Sequence, residues 1–288
     1  ASCGQFRPQE IHMDWSHFTL DHLIHRAAHG IEFELFRYFL GTISTFVVIW
    51  LGLSHVLRFR KIRKPTPRAR QIRSELLHSA MTVLVFVGMD IVIFDAADLG
   101  IFRQYSDIAQ YGWPWFFASI ALMIVAHDTY FYWAHRFMHL PRFYKLFHMR
   151  HHRSHNPTPF TAYSFAPLEA VVEYAFVPVG LMIIPIHETG FYIVMMIMIF
   201  KNAFAHCGYE LMPKSWARLP VLGWLTSVTH HDMHHERASG NYGFYFTWWD
   251  RWMGTEHKNY LERFETAGDW ARRTQADVKP ETALVPAE

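Results

Sequence analysis

Only two cysteines, Cys3 and Cys207, occur in this 288-residue chain. That excludes both a disulfide framework and a thiolate metal cluster. Charge is sparse as well: Asp, Glu, Lys and Arg make up 18%, where an ordinary soluble domain carries about a quarter. The formal net charge is only +2, so no strong global field favours nucleic acid. No Rossmann glycine fingerprint and no haem motif is visible. Residues 1–32 contain no apolar run like the core of a signal peptide. Apolar residues, in contrast, reach 51% and aromatics 17%, which rules out a disordered or collagen-like chain. Histidine is the outlier, with 21 against 27 Lys and Arg together.

Tyr38 to Leu57 is a run of twenty residues without Asp, Glu, Lys or Arg, and about twenty apolar residues span a bilayer core as a helix. Leu76 to Phe94 is a second run, whose only charged residue is Asp90, and Ile108 to His127 is a third. Glu169 to His206 is apolar but interrupted at Pro185, His187, Glu188 and Gly190, so it reads as a hairpin that enters and returns on one face. Arg58 to Arg73 holds eight basic residues and no acidic one, which places this loop on the cytoplasmic side. The third run then delivers Ala126 to His139 to that side. His22, His25 and His29 have helical spacing and predict a polar amphipathic helix near the membrane. The expected fold is all-α: an integral membrane helical bundle, about three spans plus a membrane hairpin, under a cytoplasmic histidine-rich helical cap. The mean hydropathy of +0.00 requires such a polar part outside the bilayer.

Thirteen histidines lie between His127 and His235, and eight of them form three boxes: His135-Arg-Phe-Met-His139, His148-Met-Arg-His151-His152 and His231-Asp-Met-His234-His235. Spacings of three and four put imidazoles one turn apart on one helix face. Adjacent pairs such as His151 and His152 point about 100° apart, so they can reach two different metals, or two sides of one cavity. Imidazole suits Zn, Cu, Fe and Ni alike. A zinc site takes three or four protein ligands, so eight histidines are too many for one ion and suit two. His127 stands two turns before His135, about 80° round the helix, and is counted as an outer ligand. Asp128, Asp232 and Asp250 are candidates to orient ligand rings, since a ligating His usually donates its other N–H to a carboxylate or carbonyl. His155 reads as a loop residue, His187 as the hairpin tip, and His230 as a neighbour of box three behind the ligands.

The boxes, in this order among apolar helices, resemble the fatty acid hydroxylase and sterol desaturase superfamily over roughly Trp113 to His257. Tyr132-Trp133-Ala-His135-Arg136 is similar to that family's entry into box one. Pro157-Thr158-Pro159-Phe160 and Ser164-Phe165-Ala166-Pro167-Leu168-Glu169 resemble the stretch after box two, especially in sterol C5-desaturases. Asn241-Tyr242-Gly243, Phe246-Thr247-Trp248-Trp249-Asp250-Arg251 and Gly254-Thr255 resemble the segment after box three. The resemblance implies as metal ligands His135, His139, His148, His151, His152, His231, His234 and His235, with His206 of His206-Cys207-Gly208 as a ninth. Asn202 stands where some relatives have a further His. Ala166 stands where C5-desaturase relatives often have one, a departure from the sterol-desaturase pattern.

The implied activity is a membrane-bound, O2-dependent oxidoreductase with two Fe ions (Zn as a substitute in preparations), hydroxylating or desaturating a sterol-like or fatty-acyl lipid. Electrons must come from an external donor, a ferredoxin or a cytochrome b5-like protein with its reductase. The alternatives are a membrane zinc hydrolase, with Glu236 or Asp232 as base, and a non-catalytic metal-binding membrane protein. The expected organisation is an N-terminal region with two membrane helices (1–112), a catalytic domain (113–257) and a tail (258–288), with the active site on the cytoplasmic face.

Overall fold

The computed structural model of the chain describes residues 19–64 and 66–269. The first eighteen residues, and the loose end expected from 274 onward, lie outside the described residues. Thr19 starts the first helix. Its hydroxyl accepts from His22 N at 3.2 Å, and Asp21 sits in the first turn, where the helix dipole favours a negative charge. This helix, α1, runs unbroken through Leu20–Gly52, with π-wound turns at Phe39–Ile43 and Phe46–Gly52. His22, His25 and His29 therefore belong to the start of a span, not to a separate surface helix. His22 Nε2 meets Asp95 Oδ1 at 2.9 Å.

Helix α2 (Ala69–Asp98) returns beside α1. After it, β1 (Gln104–Tyr105) pairs in parallel with β2 (Ile186–His187). Helix α3 (Gly112–Met138) is followed by α4 (Pro141–Phe147) and α5 (Met149–His152). Then come α6 (Pro167–Tyr174), α7 (Phe176–Ile183) and α8 (Glu188–Ala205). Past the membrane region lie α9 (Val228–Arg237), α10 (Trp248–Trp252) and α11 (Tyr260–Glu265). The protein is an all-α membrane helical bundle. Apart from the two-residue pair β1–β2, the described residues form no named strand.

Among the described residues, three helices are long and apolar enough to cross a membrane: α1, α2 and α8. The run expected at 108–127 is not one of them. Its helix begins only at Gly112, and its apolar stretch stops at the buried pair His127 and Asp128. The second arm of the expected hairpin qualifies instead, as the 18-residue α8, whereas the first arm is broken into α6 and α7.

The β pair fixes the direction of the later helices. It stitches the loop before α3 to the loop before α8, so both helices start at one end and pack side by side. They finish at the other end, where the histidine boxes lie. His187 caps the start of α8, away from the boxes, its Nδ1 accepting from Thr189 N at 3.1 Å. The last turn of α1 reaches the histidine end too, where Trp50 Nε1 donates to the Cys207 carbonyl at 2.9 Å. Helices α1 and α8 touch closely because Gly41 has no side chain. A Cβ there would stand 2.3 Å from Ile199 Cγ1, the small-residue contact typical of membrane helices.

The polar edge of α2 carries the loop after box two. Gln71 Nε2 donates to the Asn156 carbonyl at 2.8 Å, Thr158 Oγ1 to Glu75 Oε2 at 2.6 Å, and Ser79 Oγ to the Phe160 carbonyl at 3.1 Å.

Candidate metal centre

Four segments deliver the histidines. His135 and His139 close α3. Box two occupies α5 and the residue before it. His206 caps α8, and box three lies on α9. Ser227 starts α9 by accepting from His230 N at 3.1 Å. At its other end Ala238 takes a left-handed conformation (φ 50°) and Gly240 has φ 64°. A Cβ on Gly240 would stand 2.6 Å from the Thr255 carbonyl oxygen. That turn brings the Gly240 carbonyl onto His234 Nδ1 at 2.7 Å.

The rings fall into two groups. One nitrogen from each of His135, His139, His148, His152 and His234 lies within 4.8 Å of the others. His151, His206, His231 and His235 form a second group under the same limit. The neighbours divide: His151 and His235 turn to the second group, and His152 and His234 to the first. The structure thus brings together nine of the ten sequence-derived candidates. His127 is not among them. It is buried with its ring 4.9 Å from Phe176 and 5.2 Å from Phe244.

Proton placement decides what these groups can hold. His135 Nδ1 donates to the Tyr242 carbonyl at 3.0 Å, and His206 Nδ1 to the Asn202 carbonyl at 2.8 Å. His148 Nδ1 donates to Glu169 Oε1 at 2.6 Å. A carbonyl only accepts, so the Nε2 atom of such a neutral ring carries a bare lone pair. Yet His135 Nε2 and His148 Nε2 face each other at 2.9 Å. His206 Nε2 faces three others, on His231 at 2.9 Å, His235 at 3.1 Å and His151 at 3.2 Å. Converging lone pairs repel and cannot hydrogen-bond, whereas a cation between them turns the repulsion into coordination. An all-imidazole donor set fits Fe or Zn. Burial also pushes the ring pKa values of boxes two and three well below the ordinary value at His148, His151, His231, His234 and His235. Burial thus keeps these rings in the neutral, ligating form.

The three aspartates do something other than orient these rings. Asp128 accepts from Tyr245 N (2.7 Å), Phe246 N (3.1 Å) and Trp248 Nε1 (2.6 Å). Asp250 accepts from Tyr242 N (2.8 Å) and Gly243 N (2.7 Å), and burial pushes it up to about 6. Both hold the backbone after box three, which carries the acceptor for His135. Asp232 is engaged by Arg63, whose Nε lies 2.8 Å from Oδ1, and Glu236 by Arg263 at 2.8 Å. Neither is placed as the base of a zinc hydrolase. The carboxylate that does meet a grouped ring is Glu169, fully buried on α6. In sequence it closes the motif at 164–169 and marks the edge of an apolar run, with nothing that ties it to His148.

The other singled-out residues stand apart from the groups. His155 is exposed, and His187 Nε2 donates to the Ser106 carbonyl at 2.8 Å, at the far end. His230 is buried with Nε2 3.5 Å from Asp250 Oδ2. The Asn202 side chain donates to the Ala162 carbonyl at 2.8 Å. The basic stretch turns partly inward, since Arg60 Nε donates to the Glu210 carbonyl at 2.9 Å and Arg63 holds α9.

The sequence model of the fatty acid hydroxylase family matches residues 120–255, the segment that carries all nine grouped histidines. A Δ7-sterol 5(6)-desaturase of Gibberella zeae is 29% identical over 210 residues, 72% of this chain and 64% of its own length. A methylsterol monooxygenase of Aspergillus fumigatus is 33% identical over 163 residues, 54% of each chain. Methylsterol monooxygenase 1 of Rattus norvegicus is 26% identical over 239 residues, 80% of this chain and 78% of its own. The chain thus spans less than two thirds of the first two relatives. No solved structure matches it. The boxes, the flanking motifs and these relatives agree in supporting the fatty acid hydroxylase and sterol desaturase superfamily for the segment 120–255.

Proposed function

We propose that this protein is a membrane-bound, O2-dependent oxidoreductase that hydroxylates or desaturates a lipid of the sterol type. In this reading His135, His139, His148, His152 and His234 hold one iron, and His151, His206, His231 and His235 the other. The observation that carries it is the convergence of Nε2 atoms at 2.9–3.2 Å in both groups, those of His135, His148 and His206 being left bare by their Nδ1 bonds. When bound, the iron pair supplies the oxidising power that an unactivated C–H bond requires.

The chain's own residues place and shield that site. Glu169 and the carbonyls of Tyr242, Gly240 and Asn202 fix four rings in the ligating tautomer. Burial of the rings keeps bulk water away. The histidine end is the end of the basic stretch, which supports a cytoplasmic site. Residues 113–257 serve as the catalytic domain, and electrons arrive from a separate carrier, a ferredoxin or a cytochrome b5-like protein.

The test is elemental analysis of the detergent-purified full chain grown with added iron, followed by incubation with sterol-containing lipid extracts, reductant and O2. About two irons per chain, and fewer in His151→Ala and in His234→Ala, with an oxidised lipid made only by the loaded protein, support the reading. A single tightly held zinc with no oxidised product overturns it.

A further inference from the structure

A second polar feature lies at the level of the apolar helices, away from the histidines. Glu34 and Arg37 of α1, Asp90 of α2, and Tyr163 and Tyr174 are all buried there. An ionisable group inside membrane helices is costly and points to function. Most of this cluster is satisfied internally. Arg37 Nη1 donates to Glu34 Oε1, and Tyr163 Oη to Glu34 Oε2 at 3.1 Å. Tyr174 Oη donates to Asp90 Oδ1. Two atoms are left over, Arg37 Nε and Asp90 Oδ2; Asp90 is 2% exposed, and its Oδ2 is the one acceptor of the cluster without a partner among the described residues.

Asp90 also lines a cavity of about 530 Å³ between α1, α2 and the α7–α8 region, within the roughly 300–1,000 Å³ of small-molecule sites. Its walls are largely apolar, with Phe33, Phe36, Phe94, Val177 and Phe191 among them. Gly30 faces the free oxygen: a Cβ there would stand 3.5 Å from Asp90 Oδ2, so its absence leaves room for one small group. Beyond Tyr174 a narrow cleft of about 50 Å³ continues, lined by Arg37, Phe165 and Asn202. Phe165 has its ring 5.3 Å from His151, and Asn202 is the residue whose carbonyl takes His206 Nδ1. Tyr174 therefore stands between the cavity and the metal-side cleft.

We propose that this cavity binds a lipid alcohol, with Asp90 Oδ2 accepting the hydrogen bond of its hydroxyl and the aromatic walls packing its apolar body. The proposal rests on the lipid-oxidase reading for its purpose and adds to it the residue that selects the substrate. A hydroxyl suits the site because it is a small donor, and the gap at Gly30 admits little more. It also ends the isolation of a carboxylate oxygen that bulk water does not reach.

The full chain in phosphatidylcholine nanodiscs is titrated with radiolabelled cholesterol. Unlabelled cholesterol, its 3-deoxy analogue and octadecylamine serve as competitors. Wild type should prefer the alcohol to the deoxy compound by about tenfold or more, the worth of one hydrogen bond to a charged acceptor. Asp90→Leu should abolish that preference and leave binding of the deoxy compound within about twofold. Should Asp90→Leu fail to fold, Gly30→Leu, which fills the gap, should weaken cholesterol selectively. Equal binding of alcohol and deoxy compound by wild type, a preference that survives in both variants, or stronger competition by the amine overturns the proposal. Binding needs no metal, so the two readings fail separately. A chain that selects the alcohol through Asp90 but makes no oxidised lipid sinks the oxidase, and product formation with unchanged selectivity in Asp90→Leu sinks the anchor.

Discussion

Replacing Glu169 by Gln should weaken the five-histidine group and spare the other. Glu169 is fully buried, with Oε1 2.6 Å from His148 Nδ1 and Oε2 accepting from Ala166 N at 3.2 Å. The substitution keeps the size and one acceptor oxygen, so the start of α6 survives. It removes the negative charge that makes His148 a more basic ligand and locks its tautomer. Losing such a partner typically costs about 10- to 100-fold in metal affinity, or about 1.4–2.8 kcal/mol. Glu169→Ala also orphans the Ala166 amide, adding about 1–3 kcal/mol of destabilisation. The assay is a zinc titration of metal-stripped full chain in detergent against a chromophoric chelator, with zinc as a redox-silent stand-in. One binding step should weaken by that factor in Glu169→Gln, and the step belonging to His151, His206, His231 and His235 should stay within about twofold. Two wild-type binding steps in Glu169→Gln would refute the assignment of Glu169 to His148.

Other consequences follow from the same geometry. Arg63→Ala strands the buried Asp232 carboxylate and should cost about 3–5 kcal/mol, read as a lowered melting temperature; adding Asp232→Asn should restore most of it. Gly41→Ala pushes a methyl into Ile199 and should cost about 1–3 kcal/mol, with Ile199→Ala compensating. Additive losses in that double mutant would deny the contact. The metal-stripped protein should be destabilised by acid. Burial holds His231, His234 and His235 well below their ordinary pKa, so as pH falls the unfolded chain binds protons first. Stability is then complete above about pH 6.5 and is lost as pH drops toward the depressed native values. Melting temperatures measured from about pH 7.5 to about 5 should fall with pH, and a flat profile would contradict the burial of these rings.

The boxes were legible because ligand spacing is local. Residues three or four apart share a helix face, and adjacent histidines diverge, whatever the rest of the chain does. Neighbouring positions about 100° apart on a helix send His151 and His152 to different groups. The partner of His148 was not legible, because it comes from another helix and Glu169 is adjacent to it only through tertiary packing. The three aspartates misled for a related reason: proximity in sequence to a histidine says nothing about which backbone amides a carboxylate will meet. The spans show the limit of composition. Ile108 to His127 and α8 look alike as apolar runs, but His127 and Asp128 interrupt the first where it meets the segment after box three. His127 itself had helical spacing to His135 yet faces Phe176 and Phe244.

The strapping of α1, α2 and the loop between them across the histidine end makes the placement of the boxes depend on residues outside the family-matching segment. The loop after box two hangs from Gln71, Glu75 and Ser79, box three is tethered by Arg63, and Cys207 is held by Trp50. A version trimmed to residue 113 onward would keep every grouped histidine and lose the scaffold that positions three of the four segments bearing them.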